Sequence, residues 1–328
     1  MVEKLVIIGS GPAAYTAAIY SGRALLEPLL IAGNLLGGQA TMTAEIENYP
    51  GFPQGVGGSE LMQLMLEHAE RFGARIQMDE ATSVDFQRHP FIVNTTSGPI
   101  EAQSVVIATG TTPRKLGVPG EREFVGRGIS FCATCDGFFY RDKVVMVVGG
   151  GDAAVVESEF LTRFASQVYL VHRRSTLRAE PIMQKRVLEN PKVKPIWNST
   201  VVEILGEDAV TGVRLRNVQT NEEQIVPVAG VFVYIGTEAN TGFLQGQVRL
   251  DPWGYIEADH RGRTSIPGIL AAGDVRDPML HQVATAVGSG AAAGMEAERF
   301  LSELGSRPYE EIRREYSGPH ILETGSPA

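Results

Sequence analysis

The chain has 328 residues, room for two domains with real cores at about 150 residues each. Apolar residues make up 43% and charged residues 20%, a globular mix that argues against a fibrous or disordered chain. No apolar run approaches the roughly 20 residues of a membrane-spanning helix. With 29 Lys and Arg against 38 Asp and Glu, the formal net charge of -9 gives no general drive toward a nucleic acid backbone.

Near the N-terminus, Lys4 precedes the apolar run Leu5 to Ile8, which breaks at Gly9-Ser10-Gly11-Pro12, too soon for a secretory signal. The run reads as a strand buried on both faces, and a helix follows from Ala13 to about Arg23. Gly9, Gly11 and Ala14 match G-x-G-x-x-A. In that pattern the first glycine makes a tight turn and the second lets the backbone approach a pyrophosphate. The small third residue lets helix and strand pack closely, and the helix N-terminus faces the phosphates. About twenty residues on, where a carboxylate normally receives the ribose, stands Ile31-Ala32-Gly33, so ribose contacts must come from backbone or from elsewhere. A further buried strand, Ser104 to Ala108, ends in Thr109-Gly110.

Cys132 and Cys135 are the only cysteines, separated by Ala133-Thr134 and followed by Asp136. They can build neither a disulfide framework nor a four-cysteine zinc site in one chain, and no metal is expected. Without an export signal, such a pair reads as redox-active rather than as two buried thiols. If Cys135 opens a helical turn, the helix N-terminus stabilises its thiolate, and the Asp136 carboxylate can deliver or take a proton.

A second strand, glycine turn and helix follows: Lys143 to Val148, then Gly149-Gly150-Gly151-Asp152-Ala153-Ala154 and a helix to about Ala165. Two such units imply two dinucleotide sites, the arrangement that passes a hydride from a nicotinamide to a flavin. Here the second strand, Val168 to Val171, runs into His172-Arg173-Arg174, with Arg178 beyond. Guanidinium forks suit a phosphate dianion, so this site should prefer NADPH to NADH. Strands at Val228 to Ile235 and Gly268 to Ala272 also close on glycines, the latter on Gly273-Asp274, and a small-residue helix covers Val283 to Leu301. The first unit thus resumes after the second. The expected organisation is α/β, with two Rossmann-like, three-layer ββα domains, the second inserted into the first. The flavin domain takes 1-115 and 248-301, the nucleotide domain 116-247 and a tail 302-328.

Over about residues 3 to 301 these motifs resemble the low-molecular-weight, bacterial-type thioredoxin reductases. The resemblance rests on Gly9 to Ala13, Gly37-Gly38-Gln39, Glu47-Asn48-Tyr49-Pro50-Gly51, Ala108-Thr109-Gly110, Cys132 to Gly137, Gly149 to Asp152, His172-Arg173-Arg174 and Gly273-Asp274-Val275, all in the family's order. It implies a cytoplasmic flavoprotein homodimer in which FAD, NADPH and the cysteine pair relay two electrons to thioredoxin. Cys135 would be the sulfur nearest the flavin, Cys132 the one that attacks thioredoxin, and Asp136 the acid and base. FAD would lie against Gly9, Ser10, Gly11, Pro12, Ala13, Ala32, Gly33, Gly38, Gln39, Asn48, Ala108, Thr109 and Gly110, and on the far side against Gly273, Asp274, His281, Gln282 and Val283. NADPH would lie against Gly149, Gly150, Gly151, Asp152, Ala153 and Ala154, with His172, Arg173, Arg174 and Arg178 at its phosphate. The inserted domain would turn on a hinge near residues 115 and 247.

Two departures stand out. His281 replaces the arginine that usually precedes Gln282, and 27 residues follow Leu301. That tail reads as a solvated or loosely packed extension. A sharper reading stacks Tyr316 or His320 on the partner subunit's flavin. The tail and His281 favour a ferredoxin-dependent relative as the runner-up, while the arginines favour NADPH. A dithiol oxidase of the same fold would have no need of the nucleotide motif. A non-catalytic flavin-binding redox sensor would turn over nothing.

Overall fold

The computed structural model describes residues 2–43, 46–278, 280–316 and 318, with the side chains at 134 and 135 outside the description. The chain divides into two units. Unit one comprises Met1–Thr41, Glu45–Thr111 and Ala239–Ala328, and unit two comprises Met42–Ala44 and Thr112–Glu238.

Unit one begins with β1 (Glu3–Ile8), α1 (Pro12–Arg23), β2 (Leu29–Ile31), α2 (Gly58–Arg71) and β3 (Arg75–Gln77). β4 (Ala81–Asp85), β5 (Phe91–Thr95) and the long β6 (Gly98–Ile107) follow, and β7 (Thr111–Pro113) crosses into unit two. β3, β2, β1 and β6 are parallel neighbours, with Val6 opposite both Leu29 and Val105. The apolar run of β1 serves both faces of this sheet. Leu5 and Ile7 pack with α1 and α2, while Val6 and Ile8 face Val84, Phe91 and Val93 of the antiparallel strands. α1 starts with Pro12 at its first turn, where a missing N–H costs nothing, and its alanines let it lie close to neighbours.

Unit two contains α3 (Glu121–Phe124), β8 (Ile129–Ser130), α4 (Ala133–Asp136), β9 (Val144–Gly149), α5 (Asp152–Leu161), β10 (Gln167–Val171) and α6 (Pro181–Glu189). It continues with β11 (Val193–Ile196), β12 (Ser199–Gly206), β13 (Val210–Asn217), β14 (Glu223–Pro227) and β15 (Gly230–Tyr234). Its parallel sheet runs β11-β10-β9-β15-β8, and β12-β13-β14 form an antiparallel meander. Val145 and Val147 pack under α5 and α6, while Met146 and Val148 pack under the meander. Each unit is therefore a parallel sheet between a helix layer and antiparallel strands.

The chain returns to unit one through β16 (Thr237–Ala239), β17 (Ile269–Ala271), α7 (Val283–Leu304) and α8 (Tyr309–Glu315). β17 pairs with Val105 to Ile107 of β6, on the edge where β5 pairs with Gly98 to Ala102. α7 lies against α1 through its glycines: a Cβ on Gly290 would stand 2.3 Å from the Ala13 carbonyl oxygen. Among the described residues, no helix is long and apolar enough to cross a membrane.

Three expectations shift. The crossings fall at 111/112 and 238/239, ahead of residues 115 and 247, because β7 and β16 pair there. Gln247 already serves unit one, accepting the Phe86 N–H at 2.7 Å and donating to the Val84 carbonyl at 2.6 Å. α5 ends at Leu161, short of Ala165, where the chain turns and Lys192 donates to the Thr162 carbonyl. The tail is not a loose extension as far as residue 316. Tyr309 and Ile312 are buried beside Phe300, Tyr309 stacks on His89 at 4.3 Å, and the Tyr316 hydroxyl donates to the Thr264 carbonyl at 2.7 Å. Tyr316 is thereby committed to its own unit, and His320 lies outside the described residues.

Candidate active site

In unit one, β1 delivers the chain into a turn in which Gly9 has φ +123 and its N–H meets the Ile31 carbonyl at 2.8 Å. The Ser10 hydroxyl donates to the carbonyls of Ala32 and Leu35, tying this turn to the end of β2. α1 has no side-chain cap at Gly11, and a Cβ there would find its nearest neighbour, the Gly37 carbonyl oxygen, 4.0 Å away. The helix head is thus open to a phosphate, with Gly38 packed against Gly11.

Around this head the structure gathers residues far apart in sequence. The Gln39 amide donates to the Thr111 carbonyl at 2.5 Å and to its hydroxyl at 3.0 Å. Thr109 and Asn240 exchange side-chain to backbone hydrogen bonds, and Ala108 N–H meets the Ile8 carbonyl. Asn48 donates to Gln282 Oε1 at 2.9 Å across 234 positions. Gly273 N–H is taken by the Ser289 hydroxyl, and burial pushes the Asp274 carboxyl above its ordinary value, with the His281 charge pulling the other way. His281 Nε2 stands 2.7 Å from the Asp277 carbonyl, so the imidazole is held by its own loop. The end of β2 is tied to the chain beyond β3. Gly33 N–H meets the Asp79 carbonyl, and Glu80 accepts from Asn34 at 3.1 Å.

In unit two, Cys132 is disulfide-bonded, and among the described residues no cysteine is free. Ser130 ties down the entry to α4, its hydroxyl accepting the Cys132 N–H at 3.0 Å, and Asp136 N–H closes the turn onto the Cys132 carbonyl. The Ala133 N–H donates to the phenol oxygen of Tyr234 at 2.9 Å. α5 also begins uncapped, at Gly151, where a Cβ would meet nothing within 4 Å. Arg178 N–H bonds the Gly150 carbonyl at 2.6 Å, which sets that side chain beside the glycine turn. Arg173, Arg174 and Arg178 are exposed, with no ion pair among the described residues. Ala153 is exposed and Ala154 buried.

Two members of the expected nucleotide set do structural work. One Asp152 oxygen accepts the Glu180 N–H at 2.7 Å, joining the head of α5 to the start of α6. His172 lies behind the turn, packed so closely on Gly150 that a Cβ there would stand 2.4 Å from the ring. Burial first, then Arg178, Arg173 and Arg174, hold this imidazole below its ordinary pKa, so it stays neutral.

Sequence reasoning missed Tyr234 and Glu157. Glu157 shares a helix face with Ala154 and Leu161, a period that foretells burial, and its Oε2 has no partner. Burial pushes its carboxyl from 4.5 to about 7. A carboxyl with a raised folded pKa leaves stability intact below about pH 4.5 and removes it as pH rises toward 7, up to about 3 kcal/mol. Glu157→Gln is therefore expected to gain on the wild type in thermal midpoint between pH 5 and pH 8. A gap independent of pH would show that Glu157 does not titrate there.

The family model described as "Pyridine nucleotide-disulphide oxidoreductase" matches residues 3–301, and the chain belongs to that family. Within it, the chain is similar to a thioredoxin reductase of Streptomyces coelicolor, 46% identical over 306 residues that cover 92% of this chain and 95% of the relative. A thioredoxin reductase of Mycolicibacterium smegmatis is 47% identical, with 92% and 97% covered. The crystal structure of Lactococcus lactis thioredoxin reductase matches with a TM-score of 0.90 at 41% identity, over 92% of this chain and 100% of the other.

Proposed function

We propose that the chain is a thioredoxin reductase that uses NADPH, FAD and its cysteine pair to reduce the disulfide of thioredoxin. The observation that carries this reading is in unit two. A disulfide-bonded Cys132 precedes α4 in the same domain as an uncapped glycine turn tied through its backbone to Arg178. Both glycine turns fit a dinucleotide, since each helix head is uncapped and open at Gly11 or Gly151. FAD would be held by the Gly9 turn, Gln39, Asn48, Asp274 and Gln282. NADPH would be held by the Gly149 turn with Arg173, Arg174 and Arg178. When bound, FAD supplies the two-electron link between nicotinamide and disulfide.

The remaining chemistry belongs to the chain. The reduced Cys132 sulfur attacks one sulfur of the thioredoxin disulfide, breaking it and forming a mixed disulfide. The Cys135 sulfur then attacks Cys132, which closes the internal disulfide and releases thioredoxin with two thiols. Asp136 gives a proton to the departing sulfur and takes it back in the opposite half-reaction. Phe138 and Phe139, 59% and 68% exposed just after the pair, offer an apolar surface to a protein substrate. A homodimer in the cytoplasm completes the proposal, its mass read by sedimentation as twice 35.4 kDa.

The test is an anaerobic titration with NADPH, following the flavin absorption band, with reduced ferredoxin as a parallel donor. Bleaching by NADPH, followed by turnover of thioredoxin disulfide, is expected. Bleaching by ferredoxin alone would replace the donor, and absence of turnover with either would leave only the sensor. Arg173→Ala and Arg174→Ala should each raise the KM for NADPH about 10- to 100-fold, since a hydrogen bond to a charged group contributes about 1.5–3 kcal/mol. Their kcat should hold, and the KM for NADH should move less than about threefold. Equal losses for the two nucleotides would remove the guanidinium groups from phosphate recognition.

A further inference from the structure

The Ala133 amide directly follows Cys132 in the chain, and it is spoken for. Its N–H reaches the Tyr234 hydroxyl at 2.9 Å, and Ala133 is fully buried, so water does not compete for it. Tyr234 ends β15 at the carboxyl edge of the sheet, and its side chain packs against the core that holds Ala133, Ala154 and Leu161. A phenylalanine would fill the same space, so the oxygen is there for its chemistry. Burial raises the Tyr234 phenol far above its ordinary value, and the charges of Glu157 and Asp136 raise it further. The phenol therefore stays neutral at any pH at which a thiol titrates, and its lone pair is permanently available to the amide.

A backbone amide beside a thiol is otherwise a strong lever. When a disulfide opens, negative charge develops on sulfur, and any unpaired N–H nearby stabilises the thiolate. A stabilised thiolate has a lower pKa, attacks disulfides less readily, and makes the pair more oxidising, because its reduced form is favoured. An enzyme that must push electrons onto another disulfide gains from the opposite setting.

We propose that Tyr234 is a positioning residue for the cysteine pair: by accepting the Ala133 N–H, it withholds that amide from the Cys132 sulfur and keeps the dithiol strongly reducing. This rests on the redox role given to Cys132 and Cys135 above. The step concerned is the opening of their bond, which takes two electrons from a dithiol reductant as that reductant closes to its own disulfide. Protons go to whichever sulfurs are not left as thiolate. Among the described residues, the charged and titratable groups that act around the site are Asp136 on α4, Glu157 on α5 and Tyr140 in the turn after α4. All three remain in the variants below.

The experiment uses the holoenzyme and its Tyr234→Phe variant, each equilibrated with graded ratios of reduced to oxidised dithiothreitol, quenched with a maleimide polyethylene glycol and resolved by mass. Tyr234→Phe is expected to favour the reduced pair about tenfold, a shift of about 30 mV toward less reducing for a two-electron couple. The pH midpoint for iodoacetamide reaction at Cys132 is expected to fall by about one unit, with FAD content unchanged. A third protein carries 3,5-difluorotyrosine at position 234, which weakens the oxygen as an acceptor without opening a cavity. It should fall between the other two. An unchanged equilibrium and alkylation midpoint, or a Tyr234→Phe variant that moves while the fluorinated protein does not, would overturn the proposal. A wild-type pair that dithiothreitol reduces but NADPH does not would instead sink the donor assignment and leave this inference standing.

Discussion

Cys132→Ser and Cys135→Ser are each expected to cut thioredoxin reduction by about a thousandfold or more while leaving FAD bound. With a single sulfur left, the pair cannot close on itself, so two electrons have no exit from the chain. The two variants should fail differently. Cys135→Ser keeps the attacking sulfur, so it should accumulate a mixed disulfide with thioredoxin, visible as a mass adduct. Cys132→Ser should form none. Flavin content should hold in both, because Gly9, Gln39, Asn48, Asp274 and Gln282 all stand in the other unit. The checks are thioredoxin turnover with NADPH, intact mass, and the ratio of flavin to protein absorbance. An active single variant, or an adduct on the wrong one, would refute the relay or its polarity.

Deleting residues 306–328 is expected to lower the thermal midpoint of the flavin unit by about 10 °C. The deletion removes Tyr309 and Ile312, each buried, and uncovers Phe91 and Phe300, which they pack against. Full burial of side chains of this size contributes about 1.5–3 kcal/mol apiece. The loss is thus about 3–6 kcal/mol, and a unit of this size moves about 2–4 °C for each. Glu303 also loses its ion pair to Arg307, a smaller matter at the surface. Ile312→Asp, which puts a charge in the same place, should reproduce most of the shift in the full-length chain. Turnover at 20 °C should change less than about twofold. A truncated protein that melts with the wild type but differs in flavin fluorescence would mean that the tail serves the cofactor.

The strands and turns that meet the nucleotides were legible because one signal repeated. An apolar run buried on both faces stops at a glycine, as at Leu5 to Gly9 and Val144 to Gly149, and only a parallel sheet feeding a ligand needs that. The meanders were not legible. β13 reads Val210-Thr211-Gly212-Val213-Arg214-Leu215-Arg216-Asn217, and its charged positions pair across to Glu203 and Glu223, partners that no local pattern names. α8 has two apolar anchors in seven residues, too few for periodicity to announce a helix. The site was readable as motifs but not as contacts. Asn48 and Gln282 meet across 234 residues, and Tyr234 reaches Ala133 across 101. His172 sat in the expected motif, yet its ring turned inward, since spacing reports the chain and not the rotamer.

The tandem seating of β5 and β17 along one edge of β6 has a consequence for how the protein is made. Unit two, apart from Met42–Ala44, is one stretch of chain, complete once Glu238 has been synthesised. Unit one is then still open, because β17 and α7 have not left the ribosome and α1 has only α2 against it. At 5–20 residues per second, about 160 residues separate the end of β6 from β17, a wait on the order of ten to thirty seconds. The nucleotide unit is therefore born whole, whereas the flavin unit spends that interval with an unpaired edge on β6. A nascent chain stalled just past Glu238 would hold a finished pyridine nucleotide fold and an unfinished flavin fold.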